Sequence, residues 1–243
     1  MVADYVKAGY TCFIFDGQHK QGVHRVPVKA PGRLYKVGMW FSPNDLRGDV
    51  DRITLAVNSK CPSGWTPRIV FSFPECTYLT VTAARWFYHP DDAHLPTDKR
   101  RPHPKHPDRK QKRLEAIELF KLPKMLAQSL WCPYMSENPA ISNLNTMYER
   151  PRYTFHPYHY GRYLPRNDVH SEYPDNYPGR DAYPKITGIW CSEDFNMPER
   201  KAVVPVPGDF HQITKGGGGT TRTKNMRSCT PRGFARAVFL ANQ

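Results

Sequence analysis

The chain has 243 residues, a formal net charge of +13, 39% hydrophobic residues and 24 prolines. That length builds one sizeable domain with a core of its own, and the prolines point to stiff irregular loops on it. The charge favours a polyanionic partner, nucleic acid first, over a merely basic surface, and six scattered cysteines without a Cys-x-x-Cys pair exclude a zinc ribbon or a small disulfide scaffold.

Asp4–Gly9 reads as the last turns of a helix stopped by Gly9. Tyr10–Phe15 follows as a short strand ending at Asp16. Helix, glycine, strand and acid make the tail of a βαβ unit, whose first strand and glycine-rich turn are expected before Met1. Val23–Val28 and Leu34–Phe41 read as strands around the turn Ala30-Pro31-Gly32. Asp45–Val57 is a helix with Ile53, Ala56 and Val57 on one side, and Arg68–Phe73 is a short strand ended by Pro74.

Asp98–Arg113 is crowded with cations, among them Arg100, Arg101, Lys105, Lys110 and Arg113, and Pro102, Pro104 and Pro107 keep its first half out of a helix. It reads as a solvated loop that doubles as a phosphate-contacting arm. Arg113–Leu130 has the strongest helical period in the chain, and Pro123 should kink or divide it. Trp131–Ser136 then returns as a strand, which makes an α/β crossover.

Residues 139–185 carry many tyrosines among prolines and histidines with no lasting period, and read as an irregular insertion. Individually most of these aromatics are expected to form a satellite core, while some could stack on bases. Ile186–Trp190 is a further strand, and Gly216–Gly219 a hinge. Past Asp209 the chain has no acid, and Arg222, Lys224 and Arg227 extend the basic surface. Thr230-Pro231 reads as a helix start, with a capping hydroxyl before a first-turn proline. The expected organisation is a core over 1–138, the insertion over 139–185, and a strand, hinge and helix over 186–243 that complete the core.

No charged-then-apolar leader opens the chain, and no apolar run approaches the ~18 residues of a membrane span. With free thiols suited to a reducing compartment, a cytoplasmic monomer without membrane contact is expected. His156, His159 and His170 lack regular ligand spacing, so no metal site is expected.

Two short apolar runs end on chemistry. Phe71-Ser72-Phe73-Pro74-Glu75 delivers Cys76, and Tyr134-Met135-Ser136 delivers Glu137-Asn138-Pro139. A thiolate is a good nucleophile, and a carboxyl at the end of a buried strand is costly unless paired or functional. Together they can attack and protonate an electron-poor ring. The blander readings are a small buried thiol, accepted for the other five cysteines, and a turn-capping or arginine-paired glutamate.

Phe73-Pro74-Glu75-Cys76 resembles the Pro-Cys loop of the DNA cytosine (carbon-5) methyltransferases, with Glu75 inserted between the two. Glu137-Asn138-Pro139 is similar to that family's Glu-Asn-Val, and Ala8-Gly9-Tyr10 through Phe15-Asp16 to its segment ending in the ribose-holding acid. Thr230-Pro231-Arg232-Gly233-Phe234-Ala235 loosely resembles its last element. From Glu137 through Phe155-His156-Pro157-Tyr158, Arg180–Lys185 and Arg227 to Asn242 the chain also looks like small phage and prophage cytosine methylases.

The resemblance implies an α/β fold of the Rossmann-like methyltransferase type without its first strand and glycine-rich loop. It implies S-adenosylmethionine as cofactor, held by Asp16, Phe73, Pro74 and Thr230, and DNA as partner. Cys76 would attack carbon-6 of a flipped-out cytosine. Glu137 would protonate the ring nitrogen, Asn138 would orient Glu137, and Lys185, or else Arg180, would be the basic residue near the base. Protection of a phage genome inside a bacterial host would follow. The competing reading is a relative that binds nucleic acid without turnover. An adenine methylase is disfavoured, because Asn138-Pro139-Ala140-Ile141 does not supply its Asp/Asn-Pro-Pro-aromatic motif.

Overall fold

The structure, a computed structural model, describes residues 1–81, 86–208 and 220–243. It is a mixed α/β arrangement with two sheets. Helix α1 (Ala3–Lys7) ends at Gly9, whose φ of +97° gives the left-handed turn that lets the chain reverse into β1 (Thr11–Val26). The first half of β1 runs in parallel register with β2 (Arg33–Gly38), Thr11 opposite Arg33 and Asp16 opposite Gly38. Beyond the turn the register runs backwards, with Val23 opposite Val37 and Val26 opposite Leu34. The expected strand at Val23–Val28 is therefore the returning half of one long strand that embraces β2.

Helix α2 (Leu46–Asn58) starts where Asp45 accepts the Gly48 backbone N–H at 2.9 Å. Val50 and Ile53 pack against Leu122 and Leu126, with Phe15, Met39 and Val70 closing the same cluster. The second sheet has the order β3 (Val70–Ser72), β4 (Tyr134–Pro139), β6 (Thr187–Cys191), β5 (Tyr153–Phe155). Strand β3 is parallel to β4, and β6 is antiparallel to both β4 and β5.

Between β3 and β4 the chain crosses over through α3 (Arg109–Phe120) and α4 (Leu122–Leu130). The break falls at Lys121, with Pro123 in the first turn of α4, where its missing N–H costs nothing. Helix α3 begins at Arg109, earlier than the apolar period predicts, because the polar start of the helix bears no stripe. The strand expected from Trp131 begins instead at Tyr134. Trp131 caps α4 in the left-handed conformation, φ +54°.

Short helix α5 (Leu144–Met147) leads into β5, and a 3-10 turn spans Pro157–Tyr163. The stretch expected to be irregular thus contains a sheet strand, and Phe155 and Tyr160 belong to the central core with Met135, Ile189, Phe234 and Val238. Stacking of Phe155 on Phe234 at 4.1 Å holds β5 under the terminal helix. The opposite face of the sheet packs Trp190 on Leu79, Ile117, Phe120 and Leu144. Helices α6 (Thr221–Ser228) and α7 (Arg232–Ala241) close the chain. Thr230 makes no capping bond to α7. Asp181, distant in sequence, accepts the Gly233 N–H at 2.8 Å instead. The glycine hinge lies outside the described residues. Among the described residues no helix is long and apolar enough to cross a membrane.

Candidate active site

Because β3 and β4 are neighbouring parallel strands, their carboxyl ends lie at the same edge of the sheet, where open α/β sheets place ligands. Strand β3 ends at Ser72 and runs through Phe73 and Pro74 to Cys76. The Cys76 carbonyl accepts from the Leu79 and Thr80 N–H groups at 3.0 and 3.1 Å, so the sulfur sits at the head of a tight turn. Glu75 faces solvent and accepts the Thr77 hydroxyl at 2.6 Å. The inserted acid is exposed, yet its charge still adds to what raises the Cys76 thiol.

At the end of β4, Glu137 pairs with Ile189 and Asn138 with Gly188. Asn138 is 1% exposed, and its amide donates to the Pro74 carbonyl at 3.1 Å. Its Oδ1 and the Ser136 Oγ are buried without a hydrogen-bond partner among the described residues. Asn138 therefore fastens the cysteine loop to β4.

The charges of these groups act on one another. Burial pushes the Cys76 thiol up, the Lys185 ammonium draws it down, and the Glu137 carboxylate pushes it up again. Burial also raises Glu137, with Lys185 opposing. Although Glu137 keeps some surface, crowding protein atoms shield its carboxyl from water and favour the neutral form. Lys185 donates to the Arg227 carbonyl at 3.3 Å. Tyr183, 1% exposed, has its phenol held protonated mainly by burial, with Glu137 among the charges acting on it. Sequence reasoning missed Tyr183, although it stands in the Arg180–Lys185 segment that carried part of the resemblance. Arg180 is engaged elsewhere: its Nε donates to the Gly161 carbonyl at 3.2 Å.

The residues expected to hold a cofactor are dispersed. Asp16 is exposed in the β1–β2 sheet and accepts the Gln18 N–H at 2.8 Å. Beside it opens a cavity of about 580 Å³ lined by Gly17, Gly22, Gly38, Met39, Trp40 and Arg52 among others. A Cβ on Gly17 would collide with the Trp40 ring, so that exposed indole would have to move. Phe73 is exposed, and Thr230 is half-buried beside α7. Neither this cavity nor the one at Trp86–His103 includes Cys76 or Glu137.

The basic residues divide by what already engages them. Arg101 is held by Asp92, whose oxygens take its guanidinium and backbone N–H at 2.6–3.3 Å, so it is not the loose cation that the sequence suggested. Arg100 donates to the Leu95 and Ala93 carbonyls at 2.7 and 2.8 Å. Lys110 lies over the Tyr88 ring at 4.5 Å and Arg113 over Phe87 at 4.6 Å. Lys105, Arg222 and Lys224 are exposed, and Arg227 is half-buried.

No protein-family model matches the chain, and neither does any curated protein or solved structure.

Proposed function

We propose that the chain transfers a methyl group from S-adenosylmethionine to carbon-5 of cytosine in DNA, on a Rossmann-like methyltransferase scaffold. The observation that carries this reading is that Glu137 and Lys185 act electrostatically on the Cys76 thiol, which follows β3 where it runs parallel beside β4. Asn138 locks the two loops in register.

A deprotonated Cys76 sulfur bonds to carbon-6, its proton going to water. Glu137, kept protonated by burial, donates its proton to the ring nitrogen, so the electron pair displaced by sulfur gathers at carbon-5. A neutral Glu137 also spares the thiolate a nearby like charge, and Lys185 favours the thiolate directly. When bound, S-adenosylmethionine supplies an electrophilic methyl group for carbon-5. Loss of the carbon-5 proton to a base and expulsion of the Cys76 thiolate then restore the ring, and Glu137 recovers its proton. The exposed Asp16 carboxylate can accept ribose hydroxyls, and the adjoining cavity falls within the ~300–1,000 Å³ of small-molecule sites. These two features fit a ribose, but Phe73, Pro74, Thr230 and Cys76 do not line that cavity, so the described residues do not assemble a whole adenosyl site next to the thiol.

A second reading, nucleic-acid binding without turnover, draws on the burial that keeps the Cys76 thiol protonated. A duplex carrying 5-fluorocytosine separates the two, because fluorine cannot leave carbon-5 as a proton does. Methyl transfer predicts a covalent adduct on denaturing gels that requires both the cofactor and Cys76. Wild type and Cys76→Ala behaving alike while both bind the duplex would argue for the second reading.

A further inference from the structure

We propose that the cavity walled by Trp86, Tyr88, His89, Arg100 and His103 is a second nucleic-acid site, which receives one unstacked base of a single DNA strand. The inference deepens the nucleic-acid part of the function proposed above and is independent of methyl transfer. The cavity holds about 360 Å³. Its walls are aromatic: Trp86 meets His103 edge-on at 5.2 Å and His106 at 5.4 Å, and the two imidazoles stack at 5.3 Å. Its lining includes one cation, Arg100, 5.7 Å over the Tyr88 ring, and outside the lining Lys110 lies at 4.5 Å over the same ring.

That combination selects a flat π-system joined to an anion. A cationic ligand would meet Arg100 in the lining and Lys110 beside Tyr88, and a bare phosphate would leave the rings unused. A nucleotide within a strand satisfies both, by stacking on the wall and placing its backbone at these cations. Among the described residues no group of three or more His, Cys, Asp or Glu side chains is placed to hold a metal, so the histidines act as ring wall and donors. His103 is buried, and its Nδ1 accepts the Lys105 N–H at 3.2 Å. Burial favours its neutral form, which leaves its other ring nitrogen as an N–H donor for a base edge.

The site is built in advance. Asp92 clamps Arg101, the His89 N–H donates to the Arg101 carbonyl at 2.9 Å, and Tyr88 and Pro102 bridge as a short antiparallel pair. The lobe is also fastened to the candidate active site. Arg109 donates to the Thr77 carbonyl at 3.0 Å, one residue past Cys76, and lies over Tyr78 at 5.2 Å and Phe87 at 5.4 Å. A strand engaged near Cys76 therefore runs beside this lobe.

Fluorescence anisotropy of a labelled oligothymidylate with the full chain tests the inference. Tyr88→Ala should weaken binding at least about fivefold with an unchanged salt slope, and Tyr88→Phe should restore it. Lys110→Ala should instead flatten the salt slope by about one. On the unaltered protein, a strand of abasic sites should bind at least about fivefold more weakly than oligothymidylate. Equal binding of abasic and base-bearing strands would overturn the inference, as would a folded Tyr88→Ala protein that binds like wild type. Tyr88-dependent strand binding without a 5-fluorocytosine adduct would sink methyl transfer and leave this site standing. An adduct with Tyr88-independent strand binding would do the reverse.

Discussion

The side-chain amide of Asn138 donates to the backbone carbonyl of Pro74 at 3.1 Å, joining the end of β4 to the loop that carries Cys76. Asn138 is buried and Pro74 half-buried, and the bond ties the cysteine loop to β4 beside Glu137. Asn138→Ala should cost about 1–3 kcal/mol in urea unfolding, because a buried side chain and its bond to the Pro74 carbonyl are lost together. It should also slow adduct formation with 5-fluorocytosine DNA far more than it weakens DNA binding. Equal losses in both would mean that the bond only supports the fold.

Glu137 supplies a pH-dependent test. Its folded carboxyl holds a proton more tightly than an ordinary glutamate, chiefly through burial. Its contribution to stability is therefore full below the usual carboxylate range and is lost as pH rises through the raised folded value. Glu137→Gln removes that loss. The variant should melt higher than wild type at pH 8 and show no such gain at pH 4, by calorimetry at the two pH values. Without its proton donor, adduct formation should fall by about 10²–10⁴-fold.

Asp181 joins α7 to the loop before β6. It caps the Gly233 N–H at 2.8 Å and meets Arg232 at 3.2 Å, while Arg232 also grips Asp168 at 2.6 Å. Asp181→Ala should lower unfolding stability by about 3 kcal/mol, since a buried partner of Arg232 and the cap of α7 are lost together. Asp181→Asn keeps an acceptor for the cap and should lose less. A Thr230→Ala variant, by contrast, should unfold like wild type, because its hydroxyl makes no capping bond.

A lysine and an arginine that look alike in sequence, Lys105 and Arg101, should behave differently. Lys105→Ala should flatten the salt dependence of DNA binding by about one and leave stability unchanged. Arg101→Ala should leave the salt slope alone and destabilise the fold, because Asp92 loses the partner that holds its carboxyl far below the usual range. The stability from that pair is present above the ordinary carboxylate range and fades as pH falls, so the Arg101→Ala defect should be full at pH 7 and shrink in acid. Thermal melts of both proteins across that range check it.

Local rules reached the elements whose signals are local. A helix start at Asp45, a stop at Gly9 and a division at Pro123 rest on signals within one turn, and the structure has all three: Asp45 caps α2, Gly9 ends α1, and the break comes at Lys121 just before Pro123. They failed where a residue's partner is remote. Phe155 and Tyr160 show no period, yet they fill the central core, because β5 is only three residues long and its burial comes from β6 and α7. Thr230 carries the right chemistry for a cap, but Asp181 occupies the role through a long loop. Arg101 reads as free charge until Asp92 is seen beneath it.

The sequence by itself determined which chemistry is present: a thiol past a strand-ending proline, a carboxyl in Glu-Asn-Pro, a large positive charge, and helices and strands marked by period and caps. Only the tertiary structure decided that the carboxyl and Lys185 act on the thiol, that Glu75 is exposed, and which cations are already engaged. The physical reason is range. Caps and periodicity act over a few residues, whereas the interaction of Cys76 with Glu137 depends on a crossover that makes β3 and β4 parallel neighbours and on one buried amide between them.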